Sequence, residues 1–190
     1  MLVGLSDQLS AAGLLYLELA DPDAPLIPPL LATFANATPP CEVRQVAMLS
    51  MDLPDLPARA NEAWMRLSRE GKLFAEDDRQ FHVGLDTGEV ADAQTWRWVR
   101  VKLMDEWDIM GAGAAGPLGN GSCRPGFVML SLDGKVIVRG DTWEGQIGCV
   151  LVTDPCRAEP FRQHGARTAE WRTTPPWEKA AIRRWLDTCA

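Results

Sequence analysis

Apolar and polar positions alternate in several places along the chain, and each pattern predicts an element. Residues 6–12 read as a short helix that Gly13 breaks. Leu15-Tyr16-Leu17-Glu18-Leu19 then alternates as a strand does. Pro28-Pro29 is placed to open a helix that continues through Phe34, and Asn36 with Pro39-Pro40 stops it. Residues 42–51 hold Val43, Val46, Ala47, Met48 and Leu49 and predict a buried strand. Leu56, Ala60, Ala63, Trp64 and Leu67 recur at helical spacing, with Asp55 as the cap and Gly71 as the stop.

From residue 79 the pattern turns to period two. Phe81-His82-Val83 leads to a turn at Asp86-Thr87-Gly88. Residues 96–104 put Val99, Val101 and Leu103 on one face and Trp98, Arg100 and Lys102 on the other, a half-buried strand. Residues 111–126 are rich in Gly, Ala and Pro and predict a long loop. Asp133-Gly134 between two apolar runs predicts a hairpin with a two-residue type I′ turn. Turn residues 141–145 and a third strand over 146–153 complete an antiparallel meander. Residues 154–174 look irregular, and Pro175-Pro176 opens a last helix with Trp177, Ala181, Ile182, Trp185, Leu186 and Cys189 on its apolar face.

The elements predict an α+β fold: one mostly antiparallel sheet, with a mixed sheet left open by the β-α-β-α start, a C-terminal three-strand meander, and helices packed mainly on one face. Residues 1–190 read as a single domain with an N-terminal half over 1–75 and a β-rich half over 79–190 that ends in a helix. Each half alone is too small to bury its own apolar surface comfortably.

Composition narrows the classes. The 190 residues carry a net charge of −7. Residues 1–156 hold 12 basic and 22 acidic side chains, and residues 157–190 hold 7 and 4. An acidic bulk argues against direct nucleic-acid binding, which needs Lys and Arg to neutralise phosphates. No apolar run approaches the roughly 20 residues of a membrane helix, and the start of the chain lacks the basic region of a secretory signal. Five cysteines, an odd number without Cys-x-x-Cys spacing, disfavour a disulfide framework and point to a reducing cytoplasm. Fifteen Arg against four Lys, with much Ala, Pro and Trp, suggests a bacterial or phage source.

Chemical signatures are sparse, and neither cofactor nor metal is expected. Gly111-Ala112-Gly113-Ala114-Ala115-Gly116 matches a dinucleotide fingerprint by letter, but Pro117, Gly119 and Gly121 follow where a helix is required. Asp77, Asp78, Asp86, Glu89 and Asp92 could offer oxygen ligands to a cation, without the spacing of a known loop. An enzyme would have to assemble a hydrolase- or transferase-like site from distant residues, with Asp52, His82, Cys123 and His164 as candidates.

The favoured reading is a non-catalytic protein-binding protein of inhibitor, immunity or accessory type. Eight tryptophans are many for this length. Trp64, Trp177 and Trp185 fit helical core faces. Trp96, Trp98, Trp107 and Trp143 lie beside charged residues, and Asp105, Glu106 and Asp108 flank Trp107. An acidic, tryptophan-bearing surface suits a partner protein with a basic surface.

Overall fold

The structure is a computed structural model that describes residues 3–86 and 95–189. Its seven strands form one sheet in the order β1-β4-β3-β5-β6-β7-β2. They span β1 Leu14–Leu19, β2 Arg44–Ser50, β3 Gln80–Asp86, β4 Trp96–Leu103, β5 Val128–Leu130, β6 Val136–Trp143 and β7 Gln146–Thr153. Every pairing is antiparallel. The predicted α+β class and the C-terminal meander β5-β6-β7 are therefore present, and the mixed sheet is not. The expected turn at 86–88 runs into residues outside the described ones, as do Glu89 and Asp92.

Among the described residues five α-helices flank the sheet: α1 Val3–Ala11, α2 Pro29–Ala32, α3 Leu56–Gly71, α4 Glu159–Glu170 and α5 Pro176–Thr188. They lie on both faces, not mainly on one. Period-two alternation explains why. Phe81, Val83 and Leu85 of β3 and Val99, Val101 and Leu103 of β4 join one core with Leu9, Trp64 and Leu67. Trp98, Val128, Leu130, Ile137 and Val150 face the other way, into a second core with Leu31, Phe161, Ile182 and Trp185. A sheet with two apolar faces needs cover on both.

Several local expectations change. Residues 154–174 are not irregular, because α4 occupies 159–170 and buries Phe161, Gly165 and Ala169. Among the described residues strand β2 is an edge strand paired only with β7, and it is mostly half-exposed rather than buried. Asp55 stands at the cap position of α3 with φ 55°, yet its side chain makes no capping bond. The stop of α3 is Lys72 at φ 61°, while Gly71 is its last helical residue. Gly71 serves packing: a Cβ there would sit 2.4 Å from Leu151 Cδ1 on β7. The Asp133-Gly134 hairpin forms, but as a longer turn. Gly134 takes φ 75°, Asp133 does not take positive φ, and the Gly134 N–H donates to the Ser131 carbonyl.

The Gly-rich segment 111–126 is not one open loop. It begins inside a wide helical turn, Ile109–Gly113, and closes through a bridge between Gly119 and Pro125. The cysteines differ as well. Cys156 and Cys189 form a disulfide that ties the turn after β7 to the end of α5, while Cys41, Cys123 and Cys149 are free.

Candidate functional site

A cleft of about 500 Å³ lies on the second-core side of the sheet. Small-ligand and anchor-residue sites are commonly this size and mainly apolar. Three segments build it: residues 20–29, the start of β4, and one side of α5. Trp96 and Trp98 share a face because they are two apart on a strand. Trp98 is only 6% exposed, and its indole N–H donates to the Ile27 carbonyl at 2.7 Å. Its ring has room because Gly84 lies opposite it on β3; a Cβ there would meet Val128 Cγ1 at 2.7 Å and Trp98 Cζ3 at 3.3 Å. Trp177, in the first turn of α5, lines the other wall and is 47% exposed. This corrects its expected place in the core. The helical face instead buries Ile182 and Trp185.

The charged groups at the rim are held mostly by each other. Arg184 Nη2 donates to the Pro22 carbonyl at 2.8 Å and lies 3.4 Å from Asp23 Oδ1. The Asp23 N–H donates to Asp21 Oδ1 at 2.9 Å. The aromatic walls therefore stand on a rim fixed to the body by α5.

Of the seven residues expected to form one acidic tryptophan surface, only Trp96 and Trp98 line this cleft. Trp143 is half-buried against the second core. The 105–108 group belongs to the opposite face of the sheet. Trp107 packs on Trp64 at 5.2 Å between ring centres, in the first core. Asp108 is structural: it accepts hydrogen bonds from Asn61 Nδ2 and from the N–H groups of Gly111 and Ala112. Burial raises its pKa, but these three hydrogen bonds outweigh it and hold the carboxyl below its ordinary value. Asp105 pairs with Arg79 at 2.9 Å, and Glu106 is exposed.

The four candidate catalytic residues do not line this cleft. Asp52 is exposed just beyond β2, and Cys123 is exposed in the 111–126 segment at φ 53°. His164 on α4 stacks on Phe34 with ring centres 4.0 Å apart, and burial followed by the Arg167 charge lowers its pKa. Cys149 is buried and its thiol is pushed up to about 12, which makes it inert. Among the described residues no group of three or more His, Cys, Asp or Glu is placed to hold a metal ion. Nor is any helix among them long and apolar enough to cross a membrane.

His82 is 7% exposed on β3, 6.3 Å from the Trp98 ring, and its Nδ1 is buried without a partner among the described residues. Burial lowers its pKa most. A hydrogen bond to the Ser131 backbone raises it, the Arg100 charge lowers it, and Glu18 raises it, with a net fall. The ordinary imidazole value is about 6.5. The unfolded chain therefore binds the proton more readily than the folded one. Stability from neutral His82 is present above about pH 6.5 and is lost as pH falls through the lower folded value. Urea midpoints are expected to drop from pH 7.5 to 5.5, with a smaller drop in His82→Gln. Equal drops in the two proteins would remove His82 as the cause.

The sequence did not single out the 20–29 segment, Trp177 or Arg184. The signal was there in Pro22, Pro25, Pro28 and Pro29, a spacing that resists both helix and central strand. Comparison with protein-family models, with curated proteins and with solved structures found no match.

Proposed function

We propose that this chain is a binding protein that carries out no chemistry of its own. More particularly, it recognises another protein through the tryptophan cleft between residues 20–29, β4 and α5. The carrying observation is the convergence of Trp96, Trp98 and Trp177 from two distant parts of the sequence on one cleft. Large rigid aromatics at a concave site are the residues that dominate protein recognition. The candidate nucleophile, bases and acid for an enzyme lie elsewhere, on separate elements, which weighs against the hydrolase or transferase reading.

A partner with a basic surface suits the net charge of −7 of the chain as a whole, while the cleft lining itself balances Asp21 and Asp23 with Arg97 and Arg184. The Cys156–Cys189 bond is of a kind that an oxidising compartment keeps, and this weighs against the cytoplasmic placement expected from the cysteine count.

The test is a pull-down with tagged protein from lysate of its native cells, read by mass spectrometry. A stoichiometric partner is expected, retained by Trp107→Ala and lost from Trp177→Ala. Removing a hot-spot aromatic typically costs about 2 kcal/mol or more of binding free energy. Retention of the partner by Trp177→Ala, or no partner at low and moderate salt, would overturn the reading.

A further inference from the structure

We propose that the outer edge of β2 pairs antiparallel with the β2 edge of a second copy of this chain, joining two seven-stranded sheets across a twofold axis at Ala47. This surface is separate from the tryptophan cleft, whose lining includes no residue of β2. The phase of the β2–β7 ladder decides which backbone groups face outward. In an antiparallel ladder, residues alternate between those bonded to the neighbouring strand and those turned away from it. The Thr153 N–H donates to the Val43 carbonyl at 2.8 Å, and the Met51 N–H donates to the Gly145 carbonyl at 3.0 Å. These two bonds flank the ladder and set its phase. Residues 45, 47 and 49 bond to β7, and residues 44, 46, 48 and 50 turn their backbone groups outward.

Two of the outward groups are already spent. The Arg44 N–H donates to the Cys41 carbonyl at 3.0 Å, and the Ser50 carbonyl accepts from the Leu53 N–H at 3.3 Å. Six have no bond among the described residues: the Arg44 carbonyl, both groups of Val46, both groups of Met48 and the Ser50 N–H. An axis at Ala47 sets Val46 opposite Met48, and Arg44 opposite Ser50, of the second copy. Each Val46–Met48 pair then exchanges two hydrogen bonds, and each Ser50 N–H meets an Arg44 carbonyl. All six groups find partners, and the two spent groups face each other. An axis at Val46 would instead set the Met48 carbonyl against the spent Arg44 N–H. An axis at Met48 would set the Val46 N–H against the spent Ser50 carbonyl.

The side chains fit the same occupant. Ala47 and Leu49 turn toward the first core, so Val46 and Met48 point to the other side of the sheet. Val46 is 41% exposed and Met48 half-exposed, and the axis lays each against the other across the two copies. Arg44 is the one charged residue of the strand. Its Nε is buried without a partner, and the guanidinium has no ion pair among the described residues. The exposed Glu42 and Asp52 lie in the turns that flank β2. Across the axis, Arg44 stands between Glu42 of its own chain and Asp52 of the second copy, which gives the pairing complementary charge at both ends. The usual guards of a free edge are missing. Residues 44–50 hold neither Pro nor Lys and keep an unbroken register, whereas β1 has a register shift between Tyr16 and Glu18.

The experiment follows the full chain by sedimentation equilibrium. A strand of seven residues is a small interface, so a dimer with a Kd of about 10–100 µM is expected. Met48→Pro removes an outward N–H that the single chain does not use. Val46→Lys sets a charge in the apolar contact. Each is expected to weaken the dimer by at least about tenfold, and Leu15→Lys on the opposite edge strand to leave it unchanged. Diamide cross-linking in a Cys41→Ser/Cys123→Ser background reads the register. A mixture of Val46→Cys and Met48→Cys chains places the two thiols on directly opposite residues, with Cα atoms about 5.5 Å apart, within reach of a disulfide. Either variant alone places its two thiols two residues out of step, beyond that reach. Cross-linked dimer is expected from the mixture alone.

A chain that stays monomeric to about 1 mM, or assemblies that grow beyond two copies, would overturn the proposal. So would a dimer equally stable in Met48→Pro and Val46→Lys, or cross-linking of either thiol variant alone as readily as the mixture. None of these outcomes bears on recognition of a partner through the tryptophan cleft, which stands or falls on the pull-down with Trp177→Ala.

Discussion

Replacing Cys156 and Cys189 together by serine is expected to lower the stability of the oxidised protein by about 3–4 kcal/mol. The bond joins residues separated by 33 positions, and closing a loop of that size removes that much chain entropy from the unfolded state. For a chain of this size the melting temperature should fall by roughly 10 °C. The bond spans α4 and α5, which pack through Phe161, Ile182 and Trp185 in the second core. That apolar contact persists in the variant, so the sheet should still form and the far-ultraviolet spectrum should be retained. Adding reductant to the native protein should reproduce the loss and have no effect on the double variant. Superimposed melting curves for oxidised native protein and double variant would show that the bond contributes nothing.

The second large effect is at Gly13. This residue has φ 76°, which costs a side-chain-bearing residue about 1–2 kcal/mol. Space is the greater problem. A Cβ would lie 2.3 Å from the Glu106 carbonyl oxygen and 2.4 Å from Trp107 Cα, both backbone atoms that cannot rotate away. The same approach is fastened by two hydrogen bonds, from Met104 N–H to the Gly13 carbonyl and from Asp108 N–H to the Ala12 carbonyl. Gly13→Ala is expected to cost about 3–5 kcal/mol, adding overpacking and lost hydrogen bonds to the conformational term. Gly145 supplies the control. Its φ is 69°, and nothing lies within 4 Å of where its Cβ would stand. Gly145→Ala should therefore cost only the conformational term, about 1–2 kcal/mol. Urea denaturation of the two variants decides the matter, and equal losses would mean that the contact with residues 106–107 is slack.

The strands were legible in the sequence because alternation reports a face that is buried. Val99, Val101 and Leu103 were placed on one side by spacing alone, and they do enter one core. The helix that was missed, α4, has a reason. It carries Arg162, Gln163, His164 and Arg167 among few apolar residues, and buries only Phe161, Gly165 and Ala169. Glycine and alanine at a close helix contact give almost no hydrophobic signal. The second apolar face of the sheet was hidden in the same way. Trp98 looked like a partner of Arg100 and Lys102 on a wet face, but residues 27–31 cover it, and no local pattern predicts that pairing. Asp108 misled for the opposite reason. Its neighbours in sequence are acidic, yet its partners are Asn61 and two backbone groups of the turn that follows. The cleft needed three distant segments at once, and only Trp96 and Trp98 could be picked out beforehand.

The order of strands across the sheet bears on synthesis. Strands β1 and β2, the outermost pair, are the first two in the sequence, while their partners come late: Leu14 meets Leu103, and Arg44 meets Val152. During translation both segments leave the ribosome long before β4 and β7 exist. Leu15, Leu17 and Val46 stay partly uncovered even in the finished fold. The nascent chain thus carries two unpaired apolar strands through most of its elongation, and such strands invite pairing with other chains. A holdase bound near the N-terminal fifty or so residues would protect the interval until β4 is made, and pausing before β7 would prolong the exposure of β2 alone.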